Sequence, residues 1–463
     1  MNSPNTKILS VLLLAWAVYC FTGGEKLQAS PVRGEPFAVF GSEKMIYDVR
    51  MGPQAILHKG VIYLVYQAGR DENLGHPHII SYDTKAERWS EPVRVGTVSR
   101  FDHHYAPVLW LDSEERLHIL FGCHGSSGTH LSATGELSIL EWEEDSPVAP
   151  SISYPRFLPV AGGMLAYFRV FGHMGYWTYR LSSDNGQSWS GPSLPVTDFD
   201  QQPQRHLDPY AGSYHTIIPG PDRKSAHIGF VYKDDSGGPD PRYKMRASKD
   251  KRYNLYYLRV DIAGGELFNI DGEPIQRPVT RESAEKCLVF DSGFRLTNMP
   301  ALALDEHGRP AFLLPVSQAS PADYLIYFIK REQGNWAMRP VVRTNSSWSA
   351  AYLRRTGPGN WSAWLTVSRD TVNVPIYGGG RLQQWVSTDD GGSWSLANEL
   401  EPQPGLHYNN PTPVVTATGE PVDGWLLFYG WTGPESIQQK IHAGADGLHN
   451  SGRAFLWHEG EYK

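Results

Sequence analysis

Five histidines fall within one stretch of this sequence, residues 101–130, which reads FDHHYAPVLWLDSEERLHILFGCHGSSGTH. They are His103, His104, His118, His124 and His130. Imidazole exchanges protons near neutral pH, so two imidazoles presented together can act as an acid and a base. The runs VLWL and RLHILF, joined by the polar turn SEER, predict a β-hairpin. His104 and His124 are therefore expected to emerge at the same end of this hairpin.

The neighbouring histidines of this stretch are expected to play different parts. His103 and His104 are adjacent, and in an extended chain adjacent side chains point in opposite directions. Only one of them is then expected to face a site. His118 lies inside an alternating strand, and we interpret it as a buried residue whose hydrogen bonds are satisfied.

Two later strand entrances add a tyrosine and an arginine. The segment SYPRF (153–157) precedes MLAYFRVFGHMG and presents Tyr154 and Arg169, while AGSYH (211–215) presents Tyr214 and His215. Arg169 lies in the apolar run AYFRVF, where a charge is costly unless an anionic partner accompanies it. An acidic ligand would supply that partner. For Tyr154, which precedes a proline, simple packing remains an alternative.

This combination of His, Tyr and Arg suits β-elimination at a uronic acid. The proton on C5 becomes removable once the adjacent carboxylate is neutralised, which Arg169 and a histidine could do. A base then removes the proton and an acid protonates the departing O4. Stabilising the charge on the carboxylate should be the largest contribution, and acid/base catalysis should add about 10²–10⁴-fold. Paired carboxylates for glycoside hydrolysis, a serine nucleophile elbow and a P-loop are not conspicuous.

Short alternating runs bounded by Gly, Pro, Asp or Asn recur along the chain and predict antiparallel strands. They are VIYLVYQ (61–67), RLHILFG (116–122), MLAYFRVFG (164–172), SAHIGFVY (225–232), YNLYYLRVD (253–261), RPAFLLPV (309–316) and GWLLFYGW (424–431).

A repeated turn organises these runs. The pattern S-x-D-x-G-x-S-W occurs at 182–189 and again at 387–394. It predicts a hairpin turn in which the Asp caps its own backbone, the Gly takes a positive φ and the Trp packs beneath. Asp184 and Asp389 are therefore expected to be structural.

Degenerate copies of this turn extend the count to seven units of roughly 60 residues, the size of a four-stranded propeller blade. The predicted fold is all-β, a seven-bladed β-propeller of four-stranded antiparallel blades that occupies residues 30–463 as one domain. Two β-sandwiches are the alternative. Ligands of propellers bind at the axial mouth, where the candidate residues are expected.

Composition limits the partners of this chain. It has 463 residues and a formal charge of −7, and this mild acidity argues against a nucleic-acid partner. Aromatic residues make up 12% of the sequence and could stack on sugar rings. No stretch after the N-terminal segment is long enough to span a membrane, and we expect a monomer.

The N-terminal segment predicts export. Residues 1–29 contain Lys7 followed by the apolar run ILSVLLLAWAVYC, which is typical of a signal peptide. The protein is then secreted or periplasmic. Only Cys123 and Cys287 remain after processing, so at most one disulfide can form. Cys123 is interpreted as a small buried residue, and a structural metal held by Cys287 and a histidine stays open.

Several of these motifs, taken in order, resemble a known family. D-x-H-x-x-P at 102–107, GCHG at 122–125, SYPRF followed by FRVFGHMG, and SAHIGFVY together are similar to the BNR-repeat propeller family that includes the ulvan lyases and related rhamnose–glucuronate lyases. The resemblance implies a seven-bladed propeller that cleaves a sulfated, uronate-containing polysaccharide by elimination, leaving unsaturated uronate ends. It implies no cofactor for the chemistry.

The resemblance also implies roles for individual residues. It places the catalytic base at His104, with Tyr154 as the alternative proton donor or acceptor, and it assigns carboxylate binding to His124 and Arg169. The later active-site tyrosine falls on Tyr214 in preference to Tyr210. Independently of the resemblance, Arg252 is interpreted as a surface or loop charge that could contact the substrate, and His173 is a further candidate for substrate contact.

Two other function classes stay open at the level of sequence. A glycoside hydrolase of the rhamnosidase or sialidase type could share the scaffold, although Arg156 lacks the partners that a sialidase needs. A non-catalytic propeller could bind glycans through its aromatic residues.

Overall fold

The computed structural model describes residues 35–41, 47, 50–68, 75–99, 102–171, 175–190, 194–200, 211–234, 251–293, 295–318, 323–345, 351–368, 379–431 and 452–463. The predicted export segment, residues 1–29, lies outside these ranges. Helical structure in the described ranges is limited to the short 3₁₀ turns His103–Tyr105 and Ser283–Cys287. No helix in the described part of the chain has the length and apolar character needed to cross a membrane.

The strands are short and follow one another closely. The first half of the chain contains β1 (Ala38–Gly41), β2 (Ala55–His58), β3 (Val61–Ala68), β4 (His76–Asp83), β5 (Arg88–Trp89), β6 (Val93–Arg94), β7 (Val108–Leu111), β8 (Leu117–Phe121), β9 (His124–Ser126), β10 (Thr129–Ala133), β11 (Trp142–Glu144), β12 (Ile152–Val160), β13 (Gly163–Arg169), β14 (Trp177–Ser182), β15 (Ala211–Pro219) and β16 (Ser225–Asp234). The second half contains β17 (Lys251–Asp261), β18 (Leu267–Phe268), β19 (Pro274–Ile275), β20 (Leu288–Phe290), β21 (Ala301–Leu304), β22 (Pro310–Ser317), β23 (Tyr324–Glu332), β24 (Asn335–Thr344), β25 (Ala351–Gly357), β26 (Asn360–Val367), β27 (Arg381–Ser387), β28 (Ser395–Leu400), β29 (His407–Thr416), β30 (Pro421–Trp431), β31 (Gly452–His458) and β32 (Glu461–Tyr462). Each of the seven runs predicted as strands contains a strand, and in the run 164–172 that strand ends at Arg169.

Within the described ranges these strands form six sheets. Four of them have four strands, in the orders β11-β10-β8-β7, β14-β13-β12-β9, β21-β22-β23-β24 and β25-β26-β27-β28. A six-stranded sheet contains β15 to β20, and a ten-stranded sheet runs β1-β31-β30-β29-β2-β3-β4-β5 with β6 and β32 added at its side. The prediction of an all-β chain built from antiparallel sheets is confirmed.

The ten-stranded sheet joins the two ends of the described chain. β1 pairs with β31, so Ala38 lies opposite Ala454. Between β2 and β29 the pairing is parallel, with Ile56 opposite Val415. The first strands of successive units, β2, β7, β12, β15, β21, β25 and β29, each contact the next in this order, and β29 contacts β2. All seven contribute to the lining of one cavity of about 500 Å³.

Several strands are buried on both faces, which explains why they read as nearly continuous apolar runs. Every residue of β8 (LHILF) and of β22 (PAFLLPVS) is buried. Such strands are typical of sheets that are covered on both sides, because alternation is lost when neither face meets water. The hydrophobic core therefore lies between the sheets.

The repeated Asp turn forms as predicted. Asp184 accepts hydrogen bonds from the backbone N–H and the hydroxyl of Ser188 and from the hydroxyl of Ser182. Gly186 has φ +104°, and Trp189 packs against the core. The second copy repeats these contacts around Asp389, and its turn connects β27 to β28. Both aspartates therefore stabilise their own turns, which is the structural role that the sequence predicts.

The two cysteines in the described ranges are free and buried. Burial raises the pKa of the Cys287 thiol to about 12 and raises that of Cys123 further. Interpreting Cys123 as a small buried residue is therefore confirmed, and the single disulfide that the sequence would have allowed does not form.

Gly186 offers a test of how the Asp turn packs. A Cβ there would lie 2.0 Å from Trp110 Nε1, so Gly186→Ala combines positive-φ strain of about 1–2 kcal/mol with overpacking of about 1–3 kcal/mol. At Gly162, φ is +85° and a Cβ would meet nothing within 4 Å. We expect urea unfolding to show a clearly larger loss of stability for Gly186→Ala than for Gly162→Ala. Equal losses would mean that contact with Trp110 is unimportant.

Candidate functional site

The candidate site is organised around the carboxylate of Asp102, which precedes the 3₁₀ turn His103–Tyr105. One oxygen, Oδ1, accepts hydrogen bonds from the backbone N–H of His104 at 3.0 Å and from His104 Nδ1 at 2.5 Å. The other, Oδ2, accepts from His124 Nδ1 at 2.7 Å. Burial opposes ionisation of Asp102, but the hydrogen bonds from His104 and His124 outweigh it and hold the pKa of this carboxyl far below its usual value.

His104 is held as a neutral imidazole with one nitrogen available. Its Nδ1 faces a carboxylate that can only accept, so this nitrogen carries the proton and Nε2 carries the lone pair. The hydroxyl of Tyr154 donates to Nε2 at 2.7 Å. Burial and the nearby His103 and Arg50 lower the pKa of His104 well below its ordinary value, although Asp102 opposes this. A neutral imidazole with a directed lone pair can act as a base.

His124 binds the same carboxylate, and its strand belongs to a different sheet from the β7–β8 hairpin. It begins β9, which pairs with β12, so that His124 lies opposite Ser153. Its ring stacks on that of His104 with centroids 3.9 Å apart. The side chain remains 20% exposed, and His124 therefore lies nearer to solvent than the buried His104.

Tyr154 occupies an irregular position in β12. The register of β12 against β13 shifts between Ser153 and Arg156, and Tyr154 has φ +56° although it precedes Pro155. Bulges redirect side chains, and left-handed backbone at a bulky residue persists only where surrounding structure imposes it. The consequence is that the hydroxyl of Tyr154 contacts His104 and also lies 3.3 Å from the hydroxyl of Tyr214.

Three guanidinium groups surround the rings of these tyrosines. The Cζ of Arg50 lies 4.4 Å from the Tyr154 centroid. The Cζ of Arg169 lies 4.7 Å from the Tyr154 centroid and 5.1 Å from that of Tyr214. The Cζ of Arg252 lies 4.6 Å from the Tyr214 centroid. All three arginines are buried, so the site is positively charged and shielded from water.

A lysine adds a fourth buried cation. Lys233 Nζ donates to the hydroxyl of Tyr214 at 3.4 Å, and the residue has no exposed surface. Arg169 is likewise fully buried, and its three guanidinium nitrogens have no hydrogen-bond acceptor among the described residues. Since a buried cation without an acceptor is costly, an anionic group at this place would be strongly stabilised.

The structure brings together most of the residues that the sequence singled out. His104, His124, Tyr154, Arg169 and Tyr214 form one connected cluster. Arg252, expected at the surface or in a loop and kept as a substrate contact, is buried beside Tyr214. Two further candidates, His173 and Tyr210, lie outside the described residues.

One local expectation was wrong. His103 does not point away from His104, because the two occupy a 3₁₀ turn instead of an extended strand and their rings lie 3.8 Å apart. Arg50 also contacts His103, at 3.2 Å. His124 lies beside His104, as expected from the hairpin β7–β8, and its strand pairs with β12 of the next sheet.

Sequence reasoning missed Asp102, Arg50 and Lys233. Asp102 had a usable signal, because the spacing D-x-H is the one at which an aspartate caps a turn and meets the imidazole two residues later. Arg50 and Lys233 lie in no recognisable sequence motif. Only the packing of the segments that contain them brings these residues to Tyr154 and Tyr214.

The histidines around the Asp102 carboxylate could also bind a metal ion together with it. Asp102, His104 and His124 offer one ligand atom each within 4.8 Å of one another. In this structure the carboxylate bridges the two Nδ1 atoms, so a metal would have to replace those hydrogen bonds.

Comparison with known proteins adds a family and several relatives. Residues 73–344 match the model for BNR repeat-containing family members. The chain is 25% identical over 286 residues to an ulvan lyase of Alteromonas sp. (strain LOR), covering 56% of each chain. It is 26% identical over 288 residues to the ulvan lyase PL25 of Pseudoalteromonas sp. (strain PLSV), again covering 56% of each. The chain thus spans about half the length of these relatives.

Solved structures show a similar fold. A PL25 ulvan lyase bound to -[GlcA(1-4)Rha3S]- superposes with a TM-score of 0.75 at 19% identity, covering 93% of this chain and 97% of that one. The polysaccharide lyase Uly1 superposes with a TM-score of 0.58 at 12% identity, covering 88% and 90%. At these identities the similarity supports the fold alone.

The low pKa of His104 predicts a pH dependence of stability. In the unfolded chain this histidine gains a proton near pH 6.5, whereas the folded protein resists protonation there. The contribution of His104 to the free energy of unfolding should therefore be present above pH 6.5, and the protein should lose stability as the pH is lowered from 7.5 to 5.5. Urea unfolding of His104→Gln should show a shallower pH dependence than the wild type, whereas the exposed control His307→Gln should not. An unchanged slope in His104→Gln would show that His104 is not held neutral.

Proposed function

This chain belongs to the BNR repeat-containing family, and from that premise we propose that it is a polysaccharide lyase that cleaves a uronate-containing, ulvan-like polysaccharide by β-elimination. The observation that carries the proposal is the contact between the neutral His104 and Tyr154, 2.7 Å apart, beside the buried Arg169, whose guanidinium has no acceptor among the described residues. Elimination requires a base, an acid and neutralisation of a carboxylate, and this cluster offers all three.

His104 acts as the base. Its Nε2 lone pair takes the proton from C5 of the uronate, and the imidazolium that forms is stabilised by Asp102, which already accepts from Nδ1. The low pKa of His104 keeps the base unprotonated at neutral pH. Asp102 is therefore a positioning residue that sets the tautomer and stabilises the positive charge.

Tyr154 acts as the acid in this scheme. Its hydroxyl lies between His104 Nε2 and the hydroxyl of Tyr214, and Lys233 Nζ donates to the latter. When Tyr154 gives its proton to the departing O4, the negative charge on its oxygen is stabilised by these neighbours. Proton transfer from the charged His104 back to Tyr154 then restores both groups, so the cycle balances without a cofactor.

Arg169 and His124 neutralise the substrate carboxylate. The guanidinium of Arg169 lacks an acceptor, and a carboxylate would supply one. Because Arg169 is fully buried, contact with a substrate oxygen requires the adjoining side chains to open. Tyr214, whose ring lies beside both Arg169 and Arg252, binds the same sugar together with Arg252, as do His173 and Tyr210 in the proposal.

The substrate class follows from the relatives. Both relatives are ulvan lyases by name, and the superposed lyase is bound to -[GlcA(1-4)Rha3S]-. The buried positive charge at the candidate site suits such an anionic polymer. We propose the same class for this chain, with unsaturated uronate ends as the product.

The architecture proposed for the chain is a seven-bladed propeller of four-stranded blades over residues 30–463. The ring of contacts from β2 through β7, β12, β15, β21, β25 and β29 back to β2 supports seven inner strands. The parallel contact between β2 and β29 then divides the ten-stranded sheet into two blades, the last of which combines β29 to β31 with β1. We further propose that residues 1–29 direct export to the periplasm or the medium and that the protein works as a monomer.

Incubation with ulvan tests the activity. Elimination creates a conjugated double bond, so we expect ultraviolet absorbance to rise with the wild type and not with His104→Ala, whose folding is checked by circular dichroism. New reducing ends without absorbance would instead indicate a hydrolase. Binding without any product would indicate a glycan-binding propeller. Either result, or full activity of His104→Ala, would contradict the proposal.

The proposed role of Arg169 in catalysis can be tested with variants that change the charge or the geometry of its side chain. We expect Arg169→Met to lower kcat by about 10²–10³-fold, as for loss of one donor to a developing oxyanion, and Arg169→Lys to recover part of the loss. Arg180→Met is a matched control, since Arg180 lies in the neighbouring strand β14 of the same sheet and donates to the backbone carbonyl of Val148. Equal activity in Arg169→Met and Arg180→Met would remove the proposed role.

A further inference from the structure

A second pair of histidines lies buried outside the candidate site. His118 in β8 and His130 in β10 are 0% and 2% exposed, and both rings pack on Trp110, with centroids 5.1 and 5.0 Å away. His118 Nδ1 and His130 Nε2 face each other at 2.9 Å. The prediction that His118 is a buried residue with satisfied hydrogen bonds is confirmed, but the contact between the two rings needs a further explanation.

Each ring has an inner nitrogen, which faces the other histidine, and an outer nitrogen, which faces away from it. The hydrogen bond of the outer nitrogen determines whether the inner nitrogen carries a proton. His118 Nε2 donates to Asp112 Oδ2 at 3.1 Å, and His130 Nδ1 donates to the carbonyl oxygen of Ser146 at 2.8 Å. Neither partner can donate, so each outer nitrogen carries a proton. In neutral imidazoles the inner nitrogens then both carry lone pairs, which repel each other at 2.9 Å. A cation between them, either a proton or a metal ion, removes this repulsion.

Asp145 supplies a third ligand at the same place. Asp145 offers a carboxylate oxygen and His118 and His130 offer one imidazole nitrogen each, and these three atoms lie within 4.8 Å of one another. The backbone N–H of Asp145 donates to the carbonyl of His130 at 2.9 Å, which fixes the residue beside β10. The backbone N–H of the next residue, Ser146, donates to Asp145 Oδ1 at 2.7 Å.

We propose that His118, His130 and Asp145 bind a divalent transition-metal ion, with zinc as the best fit. Two imidazole nitrogens and a carboxylate are ligands that zinc accepts, with water at a fourth position. Ligating histidines almost always donate their other N–H to a carboxylate or a backbone carbonyl, and Asp112 and Ser146 fill these two positions. Bonds of about 2.0–2.1 Å to zinc need the two nitrogens to separate by only a few tenths of an ångström.

The metal has a structural role in this proposal. β8 and β10 are neighbouring strands of one sheet, while Asp145 and Ser146 belong to the connection that leads from β11 to β12, the strand that carries Tyr154. The ion thus ties this connection to the sheet that precedes the candidate site. It takes no part in the proposed elimination, and the inference does not rest on that function.

Metal content of the full-length protein tests the proposal. After dialysis against a weak chelator, mass spectrometry should find about one zinc per chain in the wild type and in the control His227→Gln, which changes a buried histidine that forms a hydrogen bond with Tyr257. His130→Gln and Asp145→Asn should retain less than a tenth of it. A strong chelator should lower the Tm of the wild type, and added zinc should restore it.

Two further measurements keep the proposal falsifiable if His130→Gln does not fold. Cobalt added to the stripped wild type should give the visible spectrum of a nitrogen- and oxygen-ligated ion, and Asp145→Asn should alter it. Absence of bound metal, with a Tm indifferent to chelation, would overturn the proposal and leave a proton between His118 and His130. Loss of zinc in His124→Gln but not in His130→Gln would place the ion at Asp102 and also overturn it.

Discussion

The arrangement of the candidate site depends on one carboxylate. Asp102 accepts from the backbone and ring of His104 with one oxygen and from His124 with the other. Because the carboxylate can only accept, it determines which nitrogen of each ring carries the proton. That choice leaves His104 Nε2 directed at Tyr154. Protonation of Asp102 would remove both constraints, and its low pKa makes this rare at neutral pH.

Buried positive charge is the second constraint. Arg50, Arg169, Arg252 and Lys233 lie around two tyrosine rings and have little or no exposed surface. Cation–π contacts offset part of the cost of desolvation, but the nitrogens of Arg169 remain without acceptors. In the proposed function, the carboxylate of a uronate supplies the acceptor that the guanidinium of Arg169 lacks.

The backbone provides the third constraint. Strand β12 is irregular at Tyr154, whose left-handed φ turns the side chain toward His104. The strands on either side hold it in place, since β9 brings His124 opposite Ser153 and β13 brings Arg169 opposite Ser153 as well. One position in the sheet, Ser153, therefore aligns the histidine, the tyrosine and the arginine.

The sequence by itself determined the strands, the Asp turns and the chemical types of His104, His124, Tyr154 and Arg169, because alternation, turn residues and a charge within an apolar run are local signals. Tertiary structure alone decided which residues meet. The pairing of β9 with β12 and the approach of Arg50 and Lys233 to the tyrosines depend on contacts between separate segments of the chain. Periodicity within one strand contains no information about such contacts, since it records which face is buried and not what covers it.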